Sequence, residues 1–252
     1  MRWVLVAFGL GVYAVALLAL APATLIDTRL QAASEGRLRL AEVRGSLWSG
    51  AGWIEVRDAQ GKAGVARRLT WRVLPVSLLR ARLVAQVTLE QAARPFPVSL
   101  SRSRLEIADA ALELPAAALG LGLPALAPLR LKGEVLVNIA QLSLERGSVH
   151  GEATLLWRAA GSALTPIAPV GDYEVRFTAA GTAVHGALRT LEGPLELEGA
   201  GSWSSGAAPS FLVTARVQAR HQEQLAPLLR LIAVERGAGR FELSSASAAF
   251  GS

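Results

Sequence analysis

Apolar and polar positions follow two different patterns along the chain. From Trp3 to Ile26 no residue is charged. After Asp27 apolar residues recur at every second position, the pattern of half-buried strands. Leu38, Leu40 and Val43 open it, followed by Trp53, Ile54 and Val56, then Leu69, Trp71 and Val73. Leu83 to Leu89, with Val98 and Leu100, continue it. The clearest runs are Leu131 to Ile139, Val149 to Trp157 and Tyr173 to Ala179. Leu195, Leu197 and Gly199 lead into Trp203, Phe211 to Ala219 alternate, and Phe241 and Leu243 come last. The gaps hold turn residues: Asp58-Ala59-Gln60-Gly61, Arg146-Gly147-Ser148, Ala180-Gly181-Thr182 and Gly193-Pro194.

Gaps this short favour antiparallel meanders, because parallel strands need long crossovers. Helices are few: Pro75 to Arg80, an apolar Pro-broken stretch from Leu114 to Leu126, and Gln222 to Val234. An apolar sheet face must be covered. With so few helices, the expected fold is an all-β, curved, largely antiparallel sheet, either an open trough or a half-barrel. An internal boundary near residues 161–170 is the best candidate for a division.

The uncharged run is long enough for a membrane helix, since about 20 residues cross the hydrocarbon core. Trp3 lies near one end, where interfacial aromatics belong. A cleaved signal peptide is the competing reading, with Ala21-Pro22-Ala23 as the cleavage site. Length and the sparse positive start favour an anchor over residues 1–26, and a β domain over 27–252. Either reading puts the body outside the cytoplasm.

Composition removes several chemistries. The chain has no cysteine, so disulfides, thiolate catalysis and zinc-finger or iron–sulfur ligation are excluded. The net charge of +6 is almost all arginine, with Lys62 and Lys132 the only lysines. The arginines are scattered through alternating segments, as a solvated face requires, so no nucleic-acid partner is expected.

Catalytic signatures are missing as well. His150 and His185 each precede a glycine inside alternating segments, and neither they nor His221 belongs to a metal-ligand motif. No G-x-S-x-G elbow occurs, and Gly50-Ala51-Gly52 and Gly120-Leu121-Gly122 lack the rest of a phosphate loop. Glu196 and Glu198 alternate with leucines, as on a half-buried strand. The chain is read as a non-enzyme with no cofactor and no metal.

Three segments carry a resemblance. They are Val43 to Gly50 (VRGSLWSG), Leu69 to Leu79 (LTWRVLPVSLL) and Gly193 to Trp203 (GPLELEGAGSW). With the apolar N-terminus and Leu225-Ala226-Pro227-Leu228-Leu229, they resemble, in order along nearly the whole chain, the protein N family of the bacterial type II secretion system. The resemblance implies an inner-membrane accessory subunit with a periplasmic β domain, supporting export of folded proteins across the outer membrane. Its partners would be the inner-membrane platform and other subunits of the apparatus. The motif positions Gly45, Trp48, Gly50, Trp71, Pro75, Gly193, Pro194, Gly199 and Trp203 are read as turns and packing. Gly45 and Gly50 would bracket a tight turn, and Trp71 would anchor the strand before Pro75. The first two segments also resemble AsmA-like proteins, which implies a lipid-binding or lipid-transfer module with phospholipid as its ligand.

Overall fold

The computed structural model describes residues 20–57, 63–90, 92–122, 124–204, 207–208, 210–230, 233–237 and 239–244. Most of the uncharged run and the Asp58–Gly61 turn lie outside these residues. Among the described residues no helix is long and apolar enough to cross a membrane. The chain divides into two compact units, Met1–Glu90 and Gln91–Ser252. The stretch 161–170 falls inside the second unit.

The first unit holds α1 (Thr24–Ala33) and four antiparallel strands: β1 (Leu38–Gly45), β2 (Ser49–Arg57), β3 (Ala63–Leu74) and β4 (Leu83–Leu89). Register sorts their side chains onto two faces, because directly opposed residues share a side. Leu40, Gly52 and Leu69 lie on one face with Trp71, Val73 and Ala85. That face is covered by Ala23, Ile26 and Leu30 at the start of the chain and on α1. The end of the uncharged run therefore belongs to the folded unit. Ala21 and Ala23 are buried, and α1, which carries Asp27 and Arg29, begins at Thr24 and packs on the sheet.

The outer edge of β1 is capped. Leu38 N–H donates to Ser34 Oγ at 3.0 Å, and Leu40 N–H donates to Asp27 Oδ1 at 2.7 Å. Beyond Leu40 the register shifts through a bulge, with Glu42 at positive φ. Side chains of α1 and of Ser34 just after it thus occupy donors that an unpaired edge would offer to another strand.

The second unit holds ten antiparallel strands. These are β5 (Phe96–Leu100), β6 (Arg104–Pro115), β7 (Leu131–Glu145), β8 (Ser148–Ser162), β9 (Gly171–Gly181), β10 (Ala183–Glu192), β11 (Leu195–Ser204), β12 (Ser210–Val217), β13 (Val234–Gly237) and β14 (Arg240–Ser244). Neighbours in sequence pair in order to β12, which then pairs β14, and β14 pairs β13. The helical candidates are realised as 3-10 turns at Pro75–Arg80, Ala116–Ala118 and Pro124–Leu129, one helical turn at Leu119–Gly122, and α2 (Gln222–Arg230). Gly147 and Gly181 sit at positive φ in the expected hairpin turns.

Two strands go beyond the alternation read from the sequence. β6 changes phase at Asp109, which has positive φ, so Leu105 and Ile107 share a face with Ala110, Leu112 and Leu114. That slip hides the period of two. β10 carries Val184, Gly186, Leu188 and Thr190 on its apolar side, too little bulk to announce a strand.

The apolar face of the second unit runs in rows across the strands. One row passes through Leu114, Val135, Trp157, Tyr173, Ala215 and Phe241. The next passes through Leu112, Val137, Leu155, Val175, Leu188, Gly199, Val213 and Leu243. The third joins Ala110, Ile139, Ala153, Phe177, Gly186, Gly201 and Phe211. From β6 to β14 no charged residue lies in any of the three; on β13, Glu235 stands opposite Phe241 at the end of the first row. Among the described residues the one buried cluster on this face lies at one end, where Leu225, Ala226 and Leu229 of α2, with Val170 and Ile167, bury Tyr173, Ala215 and Phe241; Val135 and Ala110 are buried outside it. Farther out the face is half-buried, and Trp203 remains 38% exposed.

Candidate functional site

The motif residues of the first unit converge on one indole. Gly45 pairs with Gly50 across the β1–β2 turn, and Gly50 pairs with Trp71 on β3. Gly45 has φ +98°, a conformation that side chains strain to adopt. A Cβ at Gly50 would overlap the Trp71 ring and the Arg44 carbonyl, so the motif needs glycine there to let the indole close over the strand. Trp71 is 7% exposed, and its Nε1–H donates to Leu47 O at 3.2 Å. Trp48 packs against the same cluster, while its carbonyl accepts from Val73 N–H at 2.7 Å. Leu47 N–H in turn donates to Ala21 O at 2.9 Å. The turn is thereby held on one side by β3 and on the other by the segment leading into α1. Pro75 starts the 3-10 turn just after β3, where Ser77 Oγ donates to Leu74 O at 2.6 Å and accepts from Val84 N–H at 3.0 Å. These residues build a clasp, and none of them presents a reactive group.

The motif residues of the second unit lie along β11 and do not form one cluster. At its start, Gly193 has φ +131°, and a Cβ there would collide with Gly171 and the Val170 carbonyl. Pro194 O accepts from Gln218 N–H, and Leu195 N–H donates to Val170 O, both at 3.1 Å. The Tyr173 hydroxyl, inside this junction, lies 2.9 Å from Leu195 O and 3.2 Å from Val170 O. Burial, and then the charge of Asp172, push its ionisation above the usual tyrosine range. Gly199 leaves room for the backbone of β12, which a Cβ would strike at Leu212 O. At the far end Trp203 rests over Gly186 and Gly201, with the Phe177 ring 6.4 Å away.

The opposite face of the second unit is polar. Glu174, Arg189, Glu198, Thr214 and Glu242 form one cross-strand row. Glu174 is 5% exposed and bonded by both Arg189 and Arg176. Those two hydrogen bonds, Arg189 first, hold its carboxyl below the usual range and outweigh the opposing effect of burial. Beside it, Arg189, Glu192, Glu196, Glu198, Thr214 and Arg216 line a groove of about 470 Å³. Glu196 and Glu198 point away from the apolar face, opposite Arg216 and Thr214. This alternating-sign ladder accounts for the carboxylates without acid–base chemistry.

His150 and His185 are exposed on the polar face, and His221 ends a 3-10 turn. Among the described residues no group of three or more His, Asp or Glu side chains is placed to hold a metal ion. The roles of Asp27 as edge cap and of Tyr173 as junction pin were not visible in the sequence, because each depends on a partner at least thirteen positions away.

What these features define is a β-rich scaffold built to present surfaces. Residues 36–244 match the family described as type II secretion system protein N, and the chain belongs to that family. The matched span covers both clasp motifs and reaches into the last strand. No curated protein and no solved structure matches the chain. Membership makes it an accessory component of type II protein secretion that interacts with other components of that system.

Proposed function

We propose that this chain is an inner-membrane-anchored accessory subunit whose periplasmic β units work through non-catalytic contacts with the platform of the secretion apparatus. The uncharged run from Trp3 to Leu20 supports the anchor, since even without the residues buried in the first unit it is about as long as a membrane crossing requires. One observation carries the contact surface: the apolar face of the second unit bears no charged residue in its three rows from β6 to β14, yet among the described residues most of its large side chains away from α2 are only half-buried. A half-covered apolar face of this extent marks an interaction site on a folded protein.

The same face supports a second reading, an AsmA-like lipid-binding module. A charge-free row structure is what acyl chains require, and a charge directed into it would count against lipid. One experiment separates the two. Tagged full-length protein is captured from gently solubilised membranes, and the co-purifying proteins and lipids are identified by mass spectrometry. Platform subunits in the eluate, lost when Phe177 is replaced by Glu, support the subunit reading. Stoichiometric phospholipid without those subunits supports the lipid reading and overturns the first.

A further inference from the structure

The whole net charge of the chain resides in its first unit. Met1–Glu90 has twelve arginine and lysine residues against six acidic ones, and Gln91–Ser252 has fourteen against fourteen. In the sequence this asymmetry is hidden, because the arginines are spaced out. Strand register gathers them. On the face of the first unit opposite the α1-covered one lie Arg39 and Arg44 of β1, Trp53 of β2, and Arg68 and Arg72 of β3. All four arginines are exposed, and none forms a side-chain ion pair among the described residues. Trp53 is 37% exposed and sits directly opposite Arg68. Of the carboxylates nearby, Glu55, opposite Arg39, pairs with Arg57, Glu90 accepts from the Arg68 backbone N–H, and Glu42 sits at the β1 bulge between Arg39 and Arg44.

An exposed tryptophan among unpaired arginines suits the headgroup layer of an anionic membrane, where the indole sits at the interface and the guanidiniums meet phosphates. The expected anchor joins the same unit at Ala23, on the α1-covered side, so this face lies across one sheet from it. Only α1, about 15 Å long, and a short turn separate Ala23 from β1. We infer that this Arg–Trp face docks on the anionic phospholipid surface next to the anchor and so sets the orientation of the first unit. The inference rests on the membrane-anchored reading above. An acidic protein surface is the competing occupant.

The test uses the full chain reconstituted into phosphatidylcholine vesicles with brominated acyl chains, with and without phosphatidylglycerol. Flotation with the neutral vesicles reports insertion and so tests the anchor. Bromolipid quenching of tryptophan fluorescence reports the face, whether or not the chain inserts into neutral vesicles. The expected result is additional quenching with phosphatidylglycerol that disappears in Trp53→Phe and at high salt. In Arg39→Gln, Arg68→Gln and Arg72→Gln the docked fraction falls about fivefold per arginine. The combined Arg146→Gln and Arg220→Gln control, in the neutral second unit, leaves it unchanged. Far-UV circular dichroism confirms that each variant is folded. Insertion without any Trp53-dependent response to phosphatidylglycerol overturns the inference and leaves the anchor standing. Failure to float with neutral vesicles overturns the anchor alone, and Trp53-dependent quenching with phosphatidylglycerol still decides the face. Retention of that quenching in the arginine variants also overturns the inference.

Discussion

The two units solve the same problem in opposite ways. Each is an antiparallel sheet with one apolar and one polar face. The first unit covers its apolar face with α1 and carries uncompensated positive charge on the other side. The second balances its charges in cross-strand pairs and leaves most of its apolar face open. The difference shows where each unit has binding energy to offer. Burial of the remaining apolar surface, at about 25 cal/mol per Å², is available only in the second. Electrostatic attraction, weakened by salt, is available only in the first.

Substitutions that break this contrast are expected to differ in size. The largest effect falls on the clasp. Trp71→Ala empties the buried site between β2 and β4 and removes the bond to Leu47, and its expected cost is about 3–5 kcal/mol. Chemical denaturation monitored by circular dichroism measures it. A midpoint equal to that of the unmodified chain would mean that the indole does not hold the first unit together.

A smaller effect falls on the edge of β1. Asp27→Ala leaves the Leu40 N–H without its partner, at an expected cost of about 1 kcal/mol. The uncapped edge should also raise concentration-dependent self-association, measured by light scattering. Stability lost without added association would assign Asp27 to the fold and not to edge protection.

The smallest effect is conditional on pH. Glu174 titrates below the ordinary glutamate range in the folded chain, because Arg189 and Arg176 favour its ionised form. Its contribution is therefore complete above the unfolded-state value of about 4.3. It is lost as pH falls through the lower folded value. The melting-temperature gap between the unmodified chain and Glu174→Gln should be present at neutral pH and shrink as pH drops below about 4. A gap that stays constant into acid would detach the stabilisation from the charge.

Much of this architecture could be read from alternation alone. The strands around Leu131 to Ile139, Val149 to Trp157 and Tyr173 to Ala179 are long and strictly periodic, and they stand at the centre of the second unit. The clasp was legible as a motif, since Gly45, Gly50 and Trp71 do form one turn and its anchor. What stayed hidden depends on register. A phase slip at Asp109 concealed β6, and small residues concealed β10. The gathering of Arg39, Arg68 and Arg72 around Trp53 emerges only when three strands are aligned. The packing of Ala23 and Ile26 is not legible in sequence, because a short apolar segment looks the same whether it enters lipid or packs on a sheet. In the fold Ala23 is buried with Leu40, Trp71, Val73 and Ala85.

The most direct measurement is site-specific photo-crosslinking in secreting cells. A photoreactive residue would replace Phe177 or Val213 on the apolar face of the second unit, or Thr178 on its polar face. The account predicts crosslinks to secretion-platform subunits from Phe177 and Val213 and none from Thr178. Crosslinks to those subunits from Thr178 alone, with the apolar positions yielding none, would contradict it.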